Sequence, residues 1–347
     1  MRTIAVINQK GGVGKTTTVA NLGAALAERD RRICLIDLDP QSHLTLHFGL
    51  EPGQPEVSIY DVLTARTLPR DATVRLGANL QIIPAVIDLA ATEVELSGTV
   101  GREQILADKL RDAAPACDLA IIDCPPSLGL LTLNALAAAD EVYIPLQAHF
   151  LALQGLGKLL ETVALVARRI NPRLRVAGVI LCLYESNTRL AAEVLADLNA
   201  FVADARGKDV PWADMTVFDT VIRRNVKLAE CPSYGTTIFD YEPGSHGAQD
   251  YNALAEEFLA RSNAVQARDE GAAQPDQPGQ TPEAAPASTP HPQDDQAPRG
   301  EPDEPGRFMP GPLPNALPHP RDASDASPPE PPAAGAEVRG TGNAPPR

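Results

Sequence analysis

Aromatic residues are scarce, at 4% of 347 residues, and there is a single tryptophan, Trp212. A core must therefore come from aliphatic side chains. The 44% hydrophobic content supplies them as Val, Ile, Leu and Ala, the composition of buried parallel sheets. Cysteine is also sparse. Cys34, Cys117, Cys124, Cys182 and Cys231 contain no C-x-x-C pair, and they read as small thiols in a reducing compartment. No apolar run reaches about 18 residues, so no transmembrane helix is expected. Met1-Arg2-Thr3 leads straight into an apolar strand without the marks of a signal peptide, and the expectation is a cytoplasmic protein. Positive charge is the last shortage. The 30 bases face 45 acids, a net charge of −15, which argues against a broadly basic nucleic-acid binder but leaves room for a local patch.

Proline, by contrast, is abundant but uneven. Of 33 prolines, 20 fall in residues 265–347, together with 13 acids and 6 bases. Phe308, Met309, Leu313 and Leu317 are that segment's main bulky apolar residues. Such a stretch cannot bury enough surface to offset its ordering entropy, so 265–347 is expected to be a disordered, acidic tail behind a domain of residues 1–264.

Within 1–264, strand-like and helix-like patterns alternate. Residues 3–8 read as a buried strand, 15–29 as a helix with Val19, Leu22, Ala25 and Leu26 on one stripe, and 32–39 as the next strand. Further strands are expected at 80–84, 118–123, 141–146, 175–183 and 214–219. Further helices are expected at 101–112, 128–139, 151–169, 188–204 and 248–263. A βαβ series of this kind implies a doubly wound, mostly parallel α/β sheet flanked by helices, with ligands at the carboxyl ends of the strands.

The chemistry-bearing motifs fall at those ends. Residues 9-QKGGVGKTTT-18 join the first strand to the first helix. Gly11, Gly12 and Gly14 permit backbone angles closed to other residues, so the N–H groups of this loop, Val13 included, can converge on a phosphate at a helix N-terminus. Lys15 is placed to reach the β- and γ-phosphates, Thr16 to bind Mg²⁺, and Thr17 to lie near the α-phosphate. The usual first glycine of such a loop is absent, since Gln9 stands there, and a second lysine, Lys10, opens the loop. Residues 119-LAIIDCPPSLG-129 place Asp123 at the end of an apolar strand, where it would hold Mg²⁺ through water. Pro125 and Pro126 stiffen the segment beyond that strand.

These motifs resemble the ParA/Soj family of partition ATPases, in the deviant-Walker group of P-loop NTPases that includes MinD. Further matches are 82-IIPAVIDLAATEVEL-96 with 101-GRE-103, 145-PLQAHFLALQGL-156 and 224-RNVKLAECPSYG-235. The resemblance implies that ATP and Mg²⁺ are the cofactors. It implies that Lys10 is a signature lysine reaching the ATP of a partner subunit in a homodimer. It also implies that Asp39, in 37-DLDPQ-41, positions or activates the attacking water, that Asp37 lies nearer the Mg²⁺ shell and the loop base, and that Pro232 approaches adenine. The sequence departs from the family in having Arg223 for a proline and Lys227 for an arginine. The segment 206-RGKDVPW-212 is an insertion whose Trp212 reads as local packing.

Family members without an N-terminal helix-turn-helix usually bind DNA non-specifically as ATP dimers, and this chain, which starts directly at the first strand, resembles that short type; the resemblance also implies a ParB-like partner that stimulates hydrolysis. The candidate DNA contacts are Arg223, Arg224 and Lys227, with Arg168, Arg169, Arg173 and Arg175 as a second cluster. Nucleoid association would result. A membrane-binding relative needs an amphipathic C-terminal helix, which the proline-rich end does not supply. An iron–sulfur relative needs a second motif cysteine beside Cys124. The alternative to segregating DNA is the positioning of a protein assembly through partner contacts, the tail among them.

Overall fold

The structure, a computed structural model, describes residues 1–272 apart from 52, 54, 150, 151, 186 and 187; for 265–272 it describes the helical backbone alone. The proline-rich segment lies outside the described residues.

Three strands whose every residue is apolar or terminal acid form the middle of the sheet, save for Arg2 and Thr3 at the entrance to the first. They are β1 (Arg2–Val6), β2 (Ile33–Asp37) and β5 (Leu119–Asp123), and β2 and β5 are buried at all positions. Around them lie β3 (Val74–Arg75), β4 (Leu80–Ile83), β6 (Glu141–Gln147), β7 (Arg175–Tyr184), β8 (Thr216–Val217) and β9 (Ile222–Arg223). The order is β3-β4-β2-β5-β1-β6-β7-β8, with β9 also on β7, and every pairing is parallel except that of edge strand β3. Chain order reverses at β1, whose neighbours are β5 and β6. Such a switch point opens a crevice at the strands' carboxyl ends.

The helices are α1 (Lys15–Ala27), α2 (His43–His47), α3 (Ile59–Thr64), α4 (Thr92–Glu95), α5 (Ile105–Ala113), α6 (Leu130–Ala138), α7 (Ala152–Arg169), α8 (Arg189–Ala205), α9 (Val226–Glu230), α10 (Ile238–Tyr241) and α11 (His246–Ala272). Successive strand residues enter opposite cores, as pleating requires. Ala5 and Ile7 join Cys34 and Ile36 under α3, α5, α6, α7 and α8, whereas Ile4 and Val6 join Ile33 and Leu35 under α1, α10 and α11.

The expected doubly wound α/β architecture is therefore present. Two features differ from the sequence reading. Helix α1 is buried from Thr18 to Leu26 and not along one stripe, because α11 covers its outer side. Polar residues there are satisfied internally: Asn21 donates to Thr17 O at 2.8 Å and accepts from the Ile238 amide at 2.9 Å. The backbone of α11 also runs through Ala272, past the compositional boundary at 264.

Candidate nucleotide site

The loop between β1 and α1 turns on two glycines. Gly12 and Gly14 have φ of 72° and 93°, the left-handed region in which a side chain is strained. Gly14 caps α1, and no acidic side chain occupies that helix's first turn, so its N-terminal amides face the cleft uncompensated. The cleft has a volume of about 950 Å³. Its floor is this loop with Thr16 and Thr17, and its walls include Asp39, Pro126 and Pro232.

Behind the loop, charge is concentrated and out of balance. Lys15, Asp37, Asp39 and Asp123 are all buried, three carboxylates against one ammonium. Burial pushes the Asp123 carboxyl well above its ordinary range, and neighbouring Asp37 adds to the shift; the Thr16 hydroxyl and Lys15 pull it back. Burial lowers the Lys15 pKa, opposed by Asp123 and Asp39. Thr16 Oγ1 donates to Asp123 Oδ2 at 2.7 Å, while Asp123 Oδ1 is buried with no hydrogen-bond partner among the described residues. A buried, unsatisfied carboxylate oxygen beside a hydroxyl is an oxygen donor set suited to a hard divalent cation. No cluster of three His, Cys, Asp or Glu that could hold a metal occurs among the described residues. A cation here would thus complete its shell with water and with phosphate oxygens, as Mg²⁺ does.

The pair of acids in 37-DLDPQ-41 divides its tasks because the strand ends between them. Asp37, the last residue of β2, lies in register with Asp123 of β5. Its oxygens are taken by the Thr45 amide and hydroxyl, at 2.8 and 2.7 Å, and by the Asp39 amide at 3.2 Å. Burial raises it to about 6, against those three hydrogen bonds. Asp37 therefore ties the turn to α2, and it lies beside Asp123, whose carboxyl it helps to raise. Asp39 has left the strand and lines the cleft, where its Oδ1 accepts from the Gln41 amide at 3.0 Å.

Residues 1–176 match the family model described as an AAA domain. The sporulation initiation inhibitor protein Soj of Bacillus subtilis is 44% identical over 261 residues, which cover 74% of this chain and 98% of Soj. The chain belongs to the ParA/Soj family of partition ATPases. The chromosome partitioning protein ParA of Myxococcus xanthus is a second relative, 43% identical over 264 residues covering 75% of this chain and 88% of ParA. Among solved structures, a cobyrinic acid a,c-diamide synthase from Mycobacterium smegmatis with a bound ATP analog and magnesium is 40% identical, with a TM-score of 0.63 over 76% of this chain and 97% of that one.

In this ParA/Soj chain the loop lysines part company. Lys15 points inward, its Nζ 3.4 Å from the Lys10 carbonyl. Lys10 is exposed and outside the cleft, with its amide on Asn8 Oδ1 at 3.0 Å and its Nζ 3.4 Å from Gln147 Oε1. Pro232 lies on the cleft wall in the segment that also contributes Asn225, Leu228 and Ser233. Sequence reasoning missed the adjoining wall, built from Gln41, His43, Leu46 and His47 on and before α2, which packs against the Pro232 segment. A helix of five residues leaves too short a periodic pattern to find it.

The two basic clusters sit at opposite ends of β7. Arg223 pairs with Tyr184 near that strand's carboxyl end, on the cleft side, whereas Arg168, Arg169 and Arg173 precede its first residue, Arg175. Arg223 is held by Asp250 through both its guanidinium and its amide. Arg224 Nε meets Glu185 at 2.7 Å, and Lys227 Nζ meets Glu230 at 2.9 Å. In the second cluster, Arg175 meets Glu141 at 2.8 Å. No helix among the described residues is long and apolar enough to cross a membrane.

Proposed function

We propose that this chain hydrolyses ATP in the cleft to drive a cycle between monomer and face-to-face dimer, that the ATP dimer binds DNA non-specifically, and that a ParB-like partner stimulates turnover and release. The observation that supports this most is the Thr16–Asp123 pair with its unsatisfied Oδ1, placed directly behind a left-handed glycine loop that opens a helix. In that arrangement the loop amides and Lys15 hold the phosphate chain. Asp123 and Thr16 would hold the Mg²⁺, which would supply compensation for charge developing on the phosphate oxygens. Asp39, facing the same cleft, orients the attacking water. Little covalent work falls to the protein, so unstimulated turnover is slow and set by positioning.

The outward position of Lys10 supports a role in a partner's site. It lies apart from its own cleft and is held there by one neutral amide, so the cost of extending it toward a second triphosphate is small. The expected outcome for Lys10→Ala is normal ATP affinity with loss of the ATP-dependent dimer in sedimentation analysis. A dimer of undiminished stability would contradict the trans role.

For DNA, the exposed pairs at Arg224 and Lys227 are the exchangeable ones, because solvent-screened ion pairs contribute little and a phosphate can replace the carboxylate. The same pairing favours a second reading, in which a protein assembly is the cargo and this face meets a protein. Charge reversal at Arg224 and Lys227 separates the two: loss of DNA binding supports the first, and intact DNA binding with lost cargo positioning supports the second.

A further inference from the structure

Helix α6 begins immediately after the proline-containing segment beyond Asp123, and its own sequence leaves it uncapped. Gly129 at its N-cap has no side chain to accept from the first amides, and the first turn carries no acid. The missing acceptor comes from another element. Glu93, on α4, reaches across with Oε1 2.8 Å from the Leu130 amide. Gly129 fits this arrangement through space and not through backbone freedom. Its φ of −80° is open to any residue, but a Cβ there would fall on the Glu93 carboxylate. Nearby, Thr132 Oγ1 donates to Ser127 O at 2.6 Å, and Asn134 ties α6 to the Arg102 carbonyl and the Leu106 amide. The segment 124–129 is therefore held upstream by strand β5 and downstream by the start of α6, and Pro126 within it lines the nucleotide cleft.

We propose that Glu93 is a positioning residue for ATP hydrolysis, clamping the first turn of α6 so that the 124–129 wall stays seated against the nucleotide cleft. The proposal rests on the ATPase function proposed for the cleft. Phosphate binding belongs to the loop and Lys15, so loosening the wall lowers kcat and spares KM.

Three variants test it. Glu93→Ala removes the acceptor, Gly129→Ala expels it by steric conflict, and Glu93→Gln keeps an amide oxygen for the Leu130 amide. Glu93→Ala and Gly129→Ala are expected to lower kcat about tenfold, with KM for ATP within about twofold of wild type, and Glu93→Gln to retain at least about half of wild-type kcat. Amide exchange, measured without nucleotide, is expected to quicken at Leu130 about tenfold in Glu93→Ala and to stay unchanged in α1. Unchanged kcat in Glu93→Ala overturns the proposal, as does an equal loss in all three variants that tracks their melting temperatures. A wild-type chain that fails to hydrolyse ATP overturns the ATPase function itself; unchanged exchange at Leu130 then overturns the clamp separately.

Discussion

Individual side chains at this site are read best by what each lacks in the folded chain. Asp123 lacks a donor for one buried oxygen, and Lys15 lacks the solvent that would favour its charge, so burial lowers its pKa although Asp123 and Asp39 oppose the shift. Lys15→Ala is expected to abolish ATP binding in calorimetry, since it leaves three buried carboxylates behind the phosphate loop without an ammonium; normal affinity would remove the basis for the loop assignment. His47, buried on the cleft wall 3.9 Å from Cys231 Sγ, gives a pH test. Burial lowers its pKa to about 4 from the ordinary 6.5. Between those values the unfolded chain takes up a proton that the folded chain refuses, so this residue's contribution to stability is full above pH 6.5 and is lost as pH falls toward 4. His47→Gln should therefore gain stability relative to wild type over that window. Parallel melting curves of the two proteins from about pH 7 to about pH 4 would count against the buried neutral imidazole.

Elements position these residues, and how legible an element was in the sequence depended on its length and on where its partners lie. Strands β1, β2 and β5 and helices α5 to α8 stand out from apolar runs and period alone, within a few residues of their expected bounds. The glycine loop and Asp123 were legible because a fixed spacing places them on consecutive elements. Short pieces were not legible. Strand β9 is two residues long and owes its place to Asp250 of α11, which accepts from the Arg223 amide at 3.0 Å and from its guanidinium. Nothing local marks such a partner 27 positions away. The Thr45 grip on Asp37 and the Glu93 grip on α6 escaped notice for the same reason. Asp250→Ala should destabilise the domain by about 1–3 kcal/mol in urea unfolding, because it leaves the Arg223 amide without its acceptor. A change near zero would mean that water replaces the carboxylate freely.

At the scale of the whole molecule, the sheet separates tasks by end. The carboxyl ends of β1, β2 and β5 carry the nucleotide groups, and Lys10, Arg224 and Lys227 lie at that same end, where a facing copy or a duplex would meet them. The excess of acid over base makes binding to a polyanion depend on that local arrangement and on doubling it in a dimer. The central claim is that ATP controls DNA binding. The most direct measurement is the affinity of Asp39→Ala, which is expected to hold the ATP-bound dimer, for a random-sequence duplex with ATP and with ADP across a salt series. Binding with ATP alone, weakening steeply as salt rises, is the predicted result. Equal binding with both nucleotides, or none with either, would contradict it.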